Sequence, residues 1–302
     1  LQLLDLTKLT TETRNEKTMN LDSMTPLNIA TIMNEEDNKV VAAVHEVLPQ
    51  VATVIEWCTD SLRKGGRIIY MGAGTSGRLG LLDAVECPPT FGTSPDTVVG
   101  LIAGGNEAFI KAVEGAEDSI TLGKEDLVNL NLSQNDIVIG IAASGRTPYV
   151  ISGLKYAREV GCKTAVLVCN KNSEMSKYSD IAIEPIPGPE VLTGSTRLKS
   201  GTAQKMILNM ISTGSMVGIG KVYQNLMVDV MQTNEKLNIR AVNIIIAATG
   251  CNHELAKNML ELADGSVKVA ITMILLQCTK DQAIERLDYS NGHIQHAIKD
   301  SK

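Results

Sequence analysis

Between Gly66 and Pro185 the chain repeats one plan: a short apolar run, a turn signal, then an amphipathic stretch. The runs Arg67 to Met71, Thr97 to Ala103, Asp136 to Ala142, Thr164 to Cys169 and Ile181 to Glu184 read as five strands. Strands that alternate with helical stretches build strand-helix-strand units and a parallel sheet. Right-handed crossovers then bring the carboxyl ends of the strands, and with them any ligand, to one edge of that sheet. The expected class is α/β: a doubly wound five-stranded parallel sheet flanked by helices.

The flanks are different. Residues 1 to 33 are polar and weakly periodic, include TTETRN at Thr10 to Asn15, and read as an arm lying on something else. From Asn34 to Lys64 apolar residues recur at helical spacing with an interruption at Pro49, which predicts one or two helices. Beyond Gly188 strand signals fade, and helices are predicted over Ala203 to Val217, Asn234 to Ala248, His253 to Ala263, Val267 to Leu275 and Asp281 to Asp288. The expected division is an arm at 1–33, an α/β ligand-binding domain at 34–248 and a small helical domain at 249–302.

Composition narrows the partners. The net charge is −6 and the basic residues are scattered singly, so the chain lacks the electrostatic footprint of a nucleic-acid binder. A small anion remains admissible, because clustered backbone amides bind phosphate against an unfavourable overall charge. The six cysteines form no C-x-x-C pair and the four histidines show no ligand spacing, so neither a metal nor a disulfide framework is expected. No apolar run reaches membrane-spanning length and the first residues lack the build of a signal peptide, so the expectation is a cytoplasmic protein without a membrane partner.

Two turns carry the chemistry. In IIYMGAGTSGRLGLLDA, Gly72, Gly74 and Gly77 match G-x-G-x-x-G between a strand and a helix, the context of a dinucleotide site. Thr75 and Ser76 would crowd a pyrophosphate yet donate well to a terminal phosphate, and the second strand ends in Gly104, Gly105 and Asn106 without an acidic residue for a ribose. In IVIGIAASGRTPYVISGL the plan recurs: a strand, then Ser144, Gly145, Arg146 and Thr147, then Pro148 opening a helix. Either turn alone reads as an ordinary helix cap. The matched pair points to an anion.

GAGTSGR and AASGRTPYV resemble the phosphate loops of the sugar isomerase domain family. DAVECPPTFG, LIAGG, VEGAEDS, LTGSTRLKSGTAQK, NLMVDV and TNEKL are similar to its N-acetylmuramic acid 6-phosphate etherase branch, over nearly the whole chain. The resemblance implies a lyase that removes D-lactate from N-acetylmuramic acid 6-phosphate in bacterial cell-wall recycling, without a cofactor. It places the catalytic glutamates on Glu86 and Glu117, and the sugar-phosphate contacts on Thr75, Ser76, Ser144, Gly145 and Thr147, within turns that also hold Gly77 and Arg146.

Such a reaction needs one group to take the C2 proton and another to protonate the departing C3 oxygen. A helix running from near Gly77 and stopped by Pro88 would put Glu86 at its negative end, suiting the acid; Glu117, near the start of the next helical stretch, suits the base or water-activating role. From Gly77 to Glu86 is about 14 Å of helix, longer than a sugar phosphate spans, so a homodimer with a shared site is expected. Ser195 to Lys205 either closes over the substrate or only caps its helix and pairs with surface acids. A sugar-phosphate isomerase and a non-catalytic sugar-phosphate sensor are the alternatives, and a dinucleotide oxidoreductase is the weakest.

Overall fold

The computed structural model describes residues 9–111, 113–230 and 235–299, so the string TNEKL at Thr233 to Leu237 lies partly outside the described residues. By the density of internal contacts the chain divides into two compact units. One is built from residues up to Val85 and from Asp96–Ser212; the other from Glu86–Pro95 and residues from Thr213 on.

In the first unit, 3-10 turns at Thr10–Glu12, Glu16–Thr18 and Leu21–Ser23 lead into α1 (Pro26–His45) and α2 (Leu48–Arg63). The first helix starts well before the expected Asn34, because Thr25 caps the N–H of Asn28 and Pro26 takes the first helical position. The described part of the arm lies on its own chain. Asn15 Nδ2 donates to Glu36 at 2.9 Å and to the Pro189 carbonyl at 3.3 Å, and Thr18 Oγ1 donates to the Val191 carbonyl at 2.8 Å.

The sheet follows as β1 (Ile68–Gly72), α3 (Gly74–Phe91), β2 (Val98–Ile102), α4 (Glu107–Ile110), α5 (Leu122–Asn129), β3 (Ile137–Ile141), α6 (Pro148–Val160), β4 (Lys163–Leu167), β5 (Ile181–Ile183) and α7 (Lys199–Gly218). All five expected strands are present, parallel, in the order β2-β1-β3-β4-β5. Every residue of β1 and β3 is buried, as strands covered on both faces must be. Ile69, Met71, Val138, Val166, Val150 and Leu154 form part of the core between the sheet and its helices.

The chain runs outward from β1 to β2, then returns across β1 to form β3. β1 and β3 are therefore neighbours whose following helices leave in opposite directions, the switch point where open α/β sheets bind ligands. Gly72 pairs with Ile141, so the turns after these two strands begin at the same level of the sheet.

The second unit contains a hairpin of β6 (Val222–Tyr223) and β7 (Leu226–Met227), then α8 (Glu235–Thr249), α9 (His253–Leu262), α10 (Val267–Leu276), α11 (Lys280–Tyr289) and α12 (Ile294–Lys299). Its core gathers Val242, Ile245, Leu260, Ile271, Ala283 and Leu287. Strand structure thus does recur beyond Gly188. Its two-residue strands are too short to show an alternating pattern, and the left-handed Gln224 makes the turn.

Candidate functional site

The first turn is compressed by design. Gly77 lies so close to the end of β1 that a side chain there would begin 2.7 Å from the Gly72 carbonyl and 2.7 Å from Ile102, so glycine lets α3 start directly on the strand. Thr75 is half-buried on the first turn of that helix. Ser76 is 7% exposed, and its hydroxyl donates to Gln204 Oε1 at 2.9 Å.

The second turn mirrors it. Gly145 adopts φ 70°, and a side chain there would strike Ser173; its N–H donates to Ala142 and its carbonyl accepts from Met175. Ser144, Arg146 and Thr147 are half-buried. Thr147 occupies the N-cap of α6, yet its side chain makes no capping hydrogen bond, so the simple capping explanation does not apply to it. Asn170, from the turn after β4, donates to the Ala143 carbonyl at 3.0 Å and braces the approach to Ser144.

The structure brings Thr75, Ser76 and Gly77 to one side of the switch point and Ser144, Gly145, Arg146 and Thr147 to the other. Glu117 is tied to the second turn: its main-chain carbonyl accepts the N–H of Tyr149, at the start of α6, at 3.1 Å. It is exposed and lies in a loop, with α5 beginning only at Leu122, so it does not open a helix as expected. Gly115 at φ 75° turns the chain back two residues earlier, and Asp118 N–H closes on its carbonyl, which is why the helix is delayed. Glu86 is exposed on α3, nine residues beyond Gly77. Pro88 does not stop this helix, which continues through Pro88 and Pro89 to Phe91, where the Gly92 N–H bonds the Pro88 carbonyl. Glu86 therefore sits within the helix and not at its negative end.

Asp83, three residues before Glu86, is buried. Burial raises its pKa, against hydrogen bonds from Asn209, Ser212 and Tyr70 that lower it. Asn209 Nδ2 reaches it at 2.7 Å, Ser212 at 3.1 Å and Tyr70 at 3.1 Å, which fastens α3 to α7.

The start of α7 at Lys199 is where the sequence reading put it, but its distant partners are what local reading missed. Glu190 caps it, accepting the N–H groups of Lys199 at 3.0 Å and Ser200 at 2.9 Å. Lys199 does not pair with a surface acid. It is fully buried and donates to the equally buried Glu36 at 2.8 Å, where Lys39 also binds at 2.8 Å. Burial would raise the Glu36 carboxyl, but hydrogen bonds from Lys199, Lys39 and Asn15 outweigh it and hold its pKa at about 2. The hydroxyl of the adjacent Ser200 and, about one turn further along, Gln204 Nε2 are buried without a hydrogen-bond partner. Among the described residues, no group of three or more His, Cys, Asp or Glu is placed to hold a metal ion. No single described helix is long and apolar enough to cross a membrane.

A model of the SIS domain (the sugar isomerase domain) matches residues 120–213, and one of the glucokinase regulatory protein N-terminal SIS domain matches residues 50–158. With the sheet order and the paired turns, this defines an α/β protein of the sugar isomerase domain class. An N-acetylmuramic acid 6-phosphate etherase of Geobacillus sp. is 58% identical over 97% of this chain and 100% of its own length. N-acetylmuramic acid 6-phosphate etherase 2 of Enterococcus faecalis is 59% identical over 98% of this chain and 100% of its own. The chain belongs to the N-acetylmuramic acid 6-phosphate etherase family. A phosphoheptose isomerase structure from Francisella tularensis is similar over 63% of this chain and 100% of that one, at 16% identity and a TM-score of 0.47.

Proposed function

We infer that the protein cleaves the D-lactyl ether of N-acetylmuramic acid 6-phosphate, giving N-acetylglucosamine 6-phosphate and D-lactate by elimination and water addition. The observation that carries this is the pair of hydroxyl-bearing turns starting at one level on either side of the switch point, in a chain of the etherase family. The C6 phosphate would lie between Thr75, Ser76 and Gly77 on one side and Ser144, Gly145, Arg146 and Thr147 on the other.

In the open-chain sugar the C2 proton is acidified by the C1 aldehyde. Glu117, held beside the second turn, takes that proton; Glu86 protonates the ether oxygen as the C3–O bond breaks, and lactate leaves. Water then adds at C3 and a proton returns to C2. Each carboxylate would act within hydrogen-bond reach of its atom, which is worth on the order of 10² to 10⁴ in rate.

The proposal extends to a cytoplasmic homodimer that serves cell-wall sugar recycling. Leu82, Val85, Phe109, Ile110 and Ile120 leave apolar side chains exposed on the elements around the turns, with Ile110 90% exposed. A second copy covering them would bury that surface, and its own Glu86 would meet a phosphate that lies too far along α3 for the first copy's. Cys58, Cys87, Cys162 and Cys169 are buried and in no disulfide, which fits a reducing compartment.

The test is to incubate the protein with N-acetylmuramic acid 6-phosphate and assay D-lactate, with Glu86→Gln and Glu117→Gln alongside. Lactate release that either substitution nearly abolishes is expected. Conversion of a sugar phosphate without lactate would make the protein an isomerase instead, and wild-type turnover in both variants would remove the glutamates from the mechanism.

A further inference from the structure

We propose that Gln204 is a positioning residue that sets which way the Ser76 hydroxyl points its proton, and thereby the affinity for the phosphate group. The proposal rests on the reading that Ser76 binds that phosphate. The serine donates to Gln204 Oε1 at 2.9 Å. A serine has one proton, and a phosphate dianion offers only acceptors, so Ser76 cannot keep this bond and also donate to the ligand.

The other end of the same amide supplies the alternative. Gln204 is 1% exposed, and its Nε2 is buried without a partner. An unmade hydrogen bond on a buried donor is costly, so a second state that uses it is close in energy. A half-turn about the terminal side-chain bond, which is a soft two-fold torsion, brings Nε2 to Ser76 Oγ. The amide then donates to the serine, and the serine proton is released toward the anion.

The placement supports the exchange. Gly201 of α7 packs against the phosphate turn, where a side chain would lie 3.6 Å from the Thr75 methyl. The Ser200 carbonyl lies 3.9 Å from the Cys169 sulfur, whose own N–H bonds Ala143 just before Ser144. The first turn of α7 thus adjoins both phosphate turns, and the glutamine reports on their occupancy.

The experiment measures KM and kcat for D-lactate release, and inhibition by inorganic phosphate, in Gln204→Leu, Gln204→Glu and Ser76→Ala, with thermal unfolding as the check on folding. Gln204→Leu, which keeps the volume and loses the donor, is expected to raise KM and the phosphate inhibition constant about tenfold or more with kcat nearly kept. Gln204→Glu can only accept while ionised, so it holds the serine proton away from the ligand. Its KM relative to wild type should be higher still at about pH 8 and should fall as the pH drops and the carboxyl gains a proton to donate. A packing role would not produce that pH dependence. Folded Gln204 variants with wild-type KM and phosphate inhibition, beside a Ser76→Ala variant with raised KM, overturn the exchange and leave the phosphate reading intact. If Ser76→Ala also keeps the wild-type KM, both fall.

Discussion

The main-chain carbonyl of Glu117 accepts the N–H of Tyr149 at 3.1 Å, which fastens an otherwise exposed loop to the first turn of α6. Arg78 secures the approach to the same loop, donating to the Ala108 and Phe109 carbonyls at 2.8 Å each. The carboxylate is therefore carried on a loop whose backbone is fixed to the first turn of α6. Glu117→Gln keeps the backbone bond and removes only the proton acceptor. The expected result in steady-state kinetics is a kcat lower by roughly 10² to 10⁴ with KM within a few-fold of wild type. A large rise in KM at unchanged kcat would make Glu117 a binding residue.

The Glu36–Lys199 pair makes a prediction about pH. The Glu36 carboxyl is held at about 2, below its ordinary value, so its ionised form stabilises the folded state. That stability is fully present above the unfolded carboxyl's pKa of about 4.5 and is lost as the pH falls from there toward about 2. Thermal unfolding temperatures should decline over that window. Glu36→Gln leaves the buried Lys199 ammonium without its counter-charge and is expected to cost roughly 3 to 5 kcal/mol near pH 7. It should also flatten the acid decline, as denaturant titrations at several pH values would show.

Gly145 is required twice, by its left-handed backbone and by the nearness of Ser173. Gly145→Ala is expected to lower stability by roughly 1 to 3 kcal/mol and to weaken inhibition by inorganic phosphate, because the turn must shift to admit the methyl group. Gly105, with φ 72° and open space around it, is the control: its alanine variant carries the backbone strain without the collision and should leave phosphate inhibition near wild type.

The five strands were legible because parallel strands buried on both faces are continuous apolar runs, as in IIYMG and IVIGI. The turns were legible because Gly74 and Gly77 come shortly after the first run and Ser144 and Gly145 shortly after the second. What local reading misjudged was settled at a distance. Glu36 meets Lys199 across 163 positions, and Ser76 meets Gln204 across 128, so no local pattern announces either. Pro88 read as a stop, yet α3 continues through Pro88 and Pro89 to Phe91, with Cys87 and Phe91 both buried. Packing of these side chains offsets the two helix hydrogen bonds the prolines cannot make.

The exposed Ile110 and Ile120 tie activity to assembly in the proposed dimer. Ile110→Asp is expected to shift the protein toward monomer in sedimentation and to lower activity in proportion, because Glu86 would be separated from its phosphate. A monomeric variant with full activity would place the complete site within one chain.

Reaction in heavy-oxygen water tests the elimination route most directly. Loss of the C2 proton and departure of the lactyl oxygen leave that oxygen in D-lactate, and the incoming water supplies the new C3 hydroxyl. Mass spectrometry should find one heavy oxygen on N-acetylglucosamine 6-phosphate and none gained by the lactate. Label in the lactate, with the sugar unlabelled at C3, would mean attack at the lactyl carbon and contradict the roles given to Glu86 and Glu117.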